Sequence, residues 1–157
     1  MLNENKNTNH LKSMLEIVHL HLKRAENNYL KIENFVIDDS IFLDDEKVNI
    51  LDAFIYRFTK LQDFLGDKFF KELLDSIGEY KTNMPLIEVL DKLEKLNLIS
   101  STEDWINYRK IRNLLTHEYP DDYEELISNI KISLLYFNQI KLDFKKIEDY
   151  IIVKELV

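Results

Sequence analysis

Apolar residues return every three or four positions along most of this chain, the spacing of helices that each bury one face. From about His10, the stripe Leu11, Met14, Leu15, Val18, Leu22, Ala25, Tyr29 and Ile32 predicts a first helix to about Phe35. The longest stripe, from Val48 through Leu51, Phe54, Phe58, Leu61, Leu65 and Phe69 to Leu73, predicts a second helix over 45–77. Asn83-Met84-Pro85 places a proline in the first turn of a short third helix, which carries Val89, Leu90 and Leu93 and ends near Asn97. A fourth helix is predicted from Thr102 to Glu118, with Trp105, Tyr108, Ile111, Leu114 and Leu115 on an apolar arc that should face a core. After Pro120, Asp121 and Asp122 cap a fifth helix that reaches about Asp149 through Ile130, Phe137, Ile140, Phe144 and Ile147. Two glycines and two prolines leave strands and hairpins little punctuation. The predicted architecture is all-α, an up-and-down bundle of about five helices over residues 10–149. Residues 1–9 are polar and aperiodic and read as a flexible N-terminus; the apolar tail 150–157 has three open courses, helix extension, packing back, or pairing with a partner.

Polar residues between the stripes read mainly as helix caps. Asp38-Asp39-Ser40 and Asp44-Asp45-Glu46 flank Ile41-Phe42-Leu43, and acids at a helix start favour its positive dipole end. Ser101 and Asp104 have the spacing of a capping box. Gly66 costs the second helix about 1 kcal/mol relative to alanine, so it marks a kink or a close helix contact. His19 and His21, two apart, lie on opposite sides of their helix and cannot chelate one metal together. Arg57 lies among the aromatics of the second helix, where the alternatives are an anion contact and a solvated or ion-paired arginine.

Composition narrows the class. A chain of 157 residues, 45% hydrophobic and 32% charged, has the size of one globular domain. The lack of cysteine excludes disulfides and thiolate zinc sites, and no apolar run approaches a membrane span, so a soluble cytoplasmic protein is expected. A formal charge of −8 argues against a general nucleic-acid coat protein. Locally the balance reverses: between Trp105 and Tyr119, Arg109, Lys110 and Arg112 face only Glu118.

That positive island carries the candidate chemistry. Arg109, Thr116 and Tyr119 share a helical sector with Arg112, whereas His117, five residues beyond Arg112, points about 140° away. A regular helix therefore cannot bring Arg112 and His117 to one point. Either the last turn unwinds ahead of Pro120, or a two-fold dimer sets Arg112 of one protomer beside His117 of the other. Histidine moves protons near neutral pH and arginine clamps phosphate. RNA supplies its own nucleophile, the 2′-hydroxyl, so this pair suffices for strand cleavage without metal. No glycine-rich phosphate loop, nucleophilic cysteine or HExxH string suggests a cofactor or metal. The bland alternative is an arginine in a salt bridge, a histidine at a helix C-terminus and a tyrosine plug.

Arg112-Asn113, three residues, His117, one residue, then Tyr119, at the end of an amphipathic helix, resembles the signature of the HEPN superfamily, and of its HepT-like toxins in particular. The run from Phe54 to Gly66 also looks like the equivalent helix of those toxins. The resemblance implies a helical homodimer with the motif at its interface and metal-independent endoribonuclease activity. It implies Arg112 and His117 as catalytic residues, with Asn113 as an orienting residue for His117 or phosphate; Arg109 and Thr116 are supporting substrate contacts by the helical face they share with Arg112. It further implies a nucleotidyltransferase antitoxin that transfers AMP to Tyr119. Some members of that superfamily look like accessory subunits that present nucleotide or substrate to a nucleotidyltransferase, the alternative outcome for this chain; a purely structural helical dimer is a third.

Overall fold

The computed structural model describes residues 2–116 and 122–157. Among them the elements are α1 (Leu2–Ile32), a 3-10 turn (Asp39–Leu43), α2 (Asp45–Phe64), a π-helical turn (Leu65–Phe69), α3 (Phe70–Ser76), α4 (Leu86–Lys95), α5 (Thr102–Thr116) and α6 (Tyr123–Val153). Of these helical stretches α2, the π turn and α3 form one continuous rod, so the described residues make five rods and no strand. This is the all-α bundle that the hydrophobic period predicts.

Cross-helix contacts give the direction of each rod. Tyr29, Glu26 and His19 of α1 meet Asn138, Lys141 and Glu148 of α6, one series falling as the other rises. In the same way His10, His21 and Tyr29 of α1 meet Glu72, Phe64 and Phe54 of the second rod, and Trp105 and Tyr108 of α5 meet Asp143 and Gln139 of α6. Neighbouring rods thus run antiparallel, up and down. Val18, Ala25 and Ile32 of α1, seven apart, are fully buried with Leu11 and form its seam. Phe54, Phe58, Phe69, Phe70 and Phe137 fill the centre, with Phe54 edge-on to Phe137 and Phe70 edge-on to Trp105.

The caps follow the sequence closely. Asp44 accepts from the backbone N–H groups of Glu46 and Lys47, and Asp122 from those of Glu124 and Glu125. Ser101 Oγ accepts from Asp104 N at 3.0 Å. Gly78 and Asn97, at φ 74° and 58°, take the left-handed conformation that stops α3 and α4.

Two local expectations are revised and one open course is settled. Residues 2–9, expected as a loose terminus, belong to α1, which starts at Leu2. The C-terminal stretch extends α6 to Val153, because Ile151 continues the buried stripe after Ile147. Leu114, placed on the core arc, is 44% exposed. The arc on α5 is narrower than its apolar residues suggest: α2 and α6 cover Trp105, Tyr108, Ile111 and Leu115 and leave the Leu114 side outside. Among the described residues no helix is long and apolar enough to cross a membrane.

Candidate functional site

Helix α5 is fixed at its start by Asp143 of α6. This carboxylate is only 3% exposed. Its Oδ1 accepts from Ser100 N at 3.1 Å, and its Oδ2 accepts from Trp105 Nε1 at 3.1 Å and from the Ser100 hydroxyl at 3.5 Å. Burial pushes the Asp143 carboxyl above its ordinary range, against the pull of those donors. One turn on, the buried Tyr108 hydroxyl donates to Gln139 Oε1 at 2.8 Å. Burial raises its pKa to about 12, which keeps the proton that makes this bond. The Gln62 amide reaches from α2 to donate to Tyr108 O at 3.1 Å.

These contacts set the rotation of α5 and aim Arg109 and Arg112 along the second rod. Arg112 Nη1 pairs with Asp63 Oδ1. Its Nε and Nη2 donate to Asn113 Oδ1 at 3.1 and 2.8 Å. A guanidinium has five N–H donors; among the described residues one each at Nη1, Nε and Nη2 is engaged, which leaves one on each terminal nitrogen. The Arg112 side chain is 16% exposed and that of Asp63 36%, so the pair lies at the edge of the protein. Arg112 is held in a fixed plane yet keeps two donors for an anion.

Arg109 has a different support. A Cβ on Gly66 would stand 2.9 Å from Arg109 Nη1, so the glycine in the π turn is the floor on which this guanidinium lies. Of the two alternatives, a kink or a close helix contact, Gly66 thus marks the close contact, and it does so inside a π turn. Arg109 makes no ion pair among the described residues. The Thr116 hydroxyl donates to Asn113 O at 3.0 Å, back onto its own helix.

Among the expected site residues, Arg109, Arg112 and Asn113 are brought together along one edge of α5. Asn113 engages Arg112, a role not foreseen for it; His117 and Tyr119, with the predicted helix end at Glu118 and the possible cap Asp121, lie outside the described residues. Asp63 was not singled out. Its signal was weak: Gln62-Asp63 is a polar pair inside an otherwise aromatic run, four and five residues after Phe58, but nothing in the sequence ties it to α5. Of the three histidines of α1, His10 Nε2 lies 3.8 Å from Glu72 and His19 Nε2 3.1 Å from Glu148, and no group of three potential metal ligands occurs among the described residues. Compared with known family models, curated proteins and solved structures, the chain matches none.

Proposed function

We propose that this protein is a metal-independent endoribonuclease, acting as the toxin of a toxin–antitoxin pair. The observation that carries the reading is Arg112: a guanidinium fixed by Asp63 and Asn113, with two N–H donors left, five residues before His117 in a string that resembles the HEPN signature. In the proposed reaction His117 takes the proton of a 2′-hydroxyl as that oxygen attacks the adjacent phosphorus. The bond from phosphorus to the 5′-oxygen breaks, the 5′-oxygen takes a proton from solvent, and a 2′,3′-cyclic phosphate remains. Arg112 stabilises the charge gathered on the phosphoryl oxygens, and Asp63 and Asn113 position Arg112. Arg109 and Thr116 are supporting contacts to the strand.

A homodimer completes the site in this reading, since Arg112 and His117 diverge on a single regular helix. A nucleotidyltransferase antitoxin restrains it by AMP transfer: the Tyr119 phenol attacks the α-phosphorus of ATP and pyrophosphate leaves, placing a bulky anion two residues from His117. The second reading, a non-catalytic accessory subunit of a nucleotidyltransferase, is favoured by the Asp63 contact, because a partly neutralised arginine suits holding a phosphate more than driving its transfer.

The test is cleavage of single-stranded RNA by purified protein in chelator, with Tyr119 confirmed unmodified by intact mass. Cutting by wild type and its loss, by a hundredfold or more, in Arg112→Ala and His117→Ala is the expected result. No cutting by unmodified wild type sinks the nuclease reading and turns attention to AMP transfer by the partner. A strict monomer by light scattering removes the composite site.

A further inference from the structure

A second cationic surface lies on the outer side of α1 and α2. Tyr56 is 53% exposed, and two cations stand over its ring, Arg57 at 5.1 Å and Lys60 at 5.5 Å from the centroid. Across the seam with α1, His21 packs against Phe64 at 6.3 Å between ring centroids. Arg57, Arg24 and Lys60 all lie close enough to His21 to depress its imidazolium form, a smaller effect than the burial that acts with them. Its Nδ1 is buried without a hydrogen-bond partner.

On a chain of net charge −8, this surface stands out because its cations converge: Arg24, Arg57 and Lys60 all act on His21, and Arg57 and Lys60 share the Tyr56 ring. Among the described residues neither Arg24, Arg57 nor Lys60 forms an ion pair with a carboxylate. On α1, the positions one turn to either side of His21, Ile17 and Val18 before and Arg24 and Ala25 after, include no acid. On α2, Tyr56 and Asp63 are seven apart and so lie on one stripe, about 10 Å along the axis, with Lys60 between them. The acid on this stripe nearest the cations toward α5 is Asp63, and Arg112 already occupies it. The aromatic ring, these cations and Arg112 therefore make one run: Tyr56 and Lys60 along a stripe of α2 that reaches the Asp63–Arg112 pair, Arg57 over the ring and Arg24 across the seam on α1.

The geometry points to this run as a binding track for single-stranded RNA: Arg24, Arg57 and Lys60 take the phosphates, Tyr56 stacks a base, and the strand leads toward Arg112. Backbone phosphates recruit cations that have no internal partner, and an exposed ring between them is the usual platform for an unpaired base. As phosphate draws Arg57 and Lys60 off the Tyr56 ring, its face opens to the base. An acidic peptide would satisfy the cations but has no use for the ring. The track rests on the RNA reading above and names where that substrate lies beyond the reacting phosphate.

The test is fluorescence anisotropy with a labelled single-stranded RNA in chelator, on a His117→Ala background to prevent cutting, alongside cleavage by the same surface variants with His117 intact. The double variant Arg57→Glu/Lys60→Glu is expected to weaken binding at least tenfold and to lower the slope of log affinity against log salt by about 1.4, for two lost contacts. Tyr56→Ala is expected to lose about tenfold, within the range of base–aromatic stacking, and Tyr56→Phe to retain binding. Circular dichroism controls for folding, which these surface changes should leave intact. Unchanged affinity and salt slope in the double variant, while wild type still binds and cuts RNA, overturns the track and leaves the nuclease reading standing. Binding by the track without cutting by wild type does the reverse. Preference for a poly-glutamate peptide over RNA, or no RNA binding at all, also overturns it.

Discussion

Helix α5 is gripped at both ends by an aspartate from a neighbouring helix, and the two grips differ in kind. At its start Asp143, almost wholly buried, accepts from a backbone N–H, an indole and a hydroxyl, all neutral donors in fixed positions. At the other end Asp63, more than a third exposed, holds the charged Arg112. The buried grip has no alternative to its partners, because water cannot replace them and an unmet buried donor is costly. The outer grip can be exchanged, since solvent or a phosphate can take the place of either member. A helix anchored at one end and exchangeable at the other suits a site that must be both placed and open.

The largest effect should come from breaking the buried grip. Asp143→Ala strands the Ser100 and Trp105 N–H groups and is expected to lower unfolding stability by about 3 kcal/mol, read by denaturant titration. Asp143→Asn removes the buried charge but turns an amide NH2 toward one of those donors; it should still cost about 1 kcal/mol. A neutral result for both would mean that the anchor lies elsewhere. On the outer side, Gly66→Ala gains up to about 1 kcal/mol of helix propensity while its Cβ pushes the flexible end of Arg109 aside. Stability should hold or rise, and RNA affinity should fall if Arg109 contacts the strand. Asp63→Ala should change stability by only about 0.5 kcal/mol, as for a partly exposed ion pair, but lower cleavage about tenfold by releasing Arg112 from its plane. An equal loss of stability at Asp63 and Asp143 would erase the distinction.

The smallest effect concerns pH. Burial, aided by Arg57, Arg24 and Lys60, depresses the His21 imidazolium in the folded protein. The unfolded chain then binds a proton first as pH falls through 6.5, the ordinary imidazole value, so the folded state loses stability below it. Thermal melts should show a shallower loss on acidification in His21→Gln than in wild type. An unchanged slope would indicate that the cations around His21 are farther away or better screened than their free state implies.

Much of this molecule was legible as pattern. The seam of α1, the length of the second rod, the caps at Asp44, Ser101 and Asp122 and the stops near Asn97 are local events, written in spacing and in side chains that bond to their own backbone. Leu114 shows the limit of that legibility: period assigns it to an arc, but the width of the arc that is buried depends on how closely α2 and α6 approach.

By itself, then, the sequence determined an all-α bundle and a helix that carries Arg112 near its end, because helical period and capping act within a few residues. Only the tertiary structure decided what stands against that arginine. Asp63, Gly66 and Asp143 lie 49, 43 and 38 positions from the α5 residues they meet, Arg112, Arg109 and Trp105. Contacts at such separations arise from the packing of whole helices, and no spacing rule along the chain encodes them.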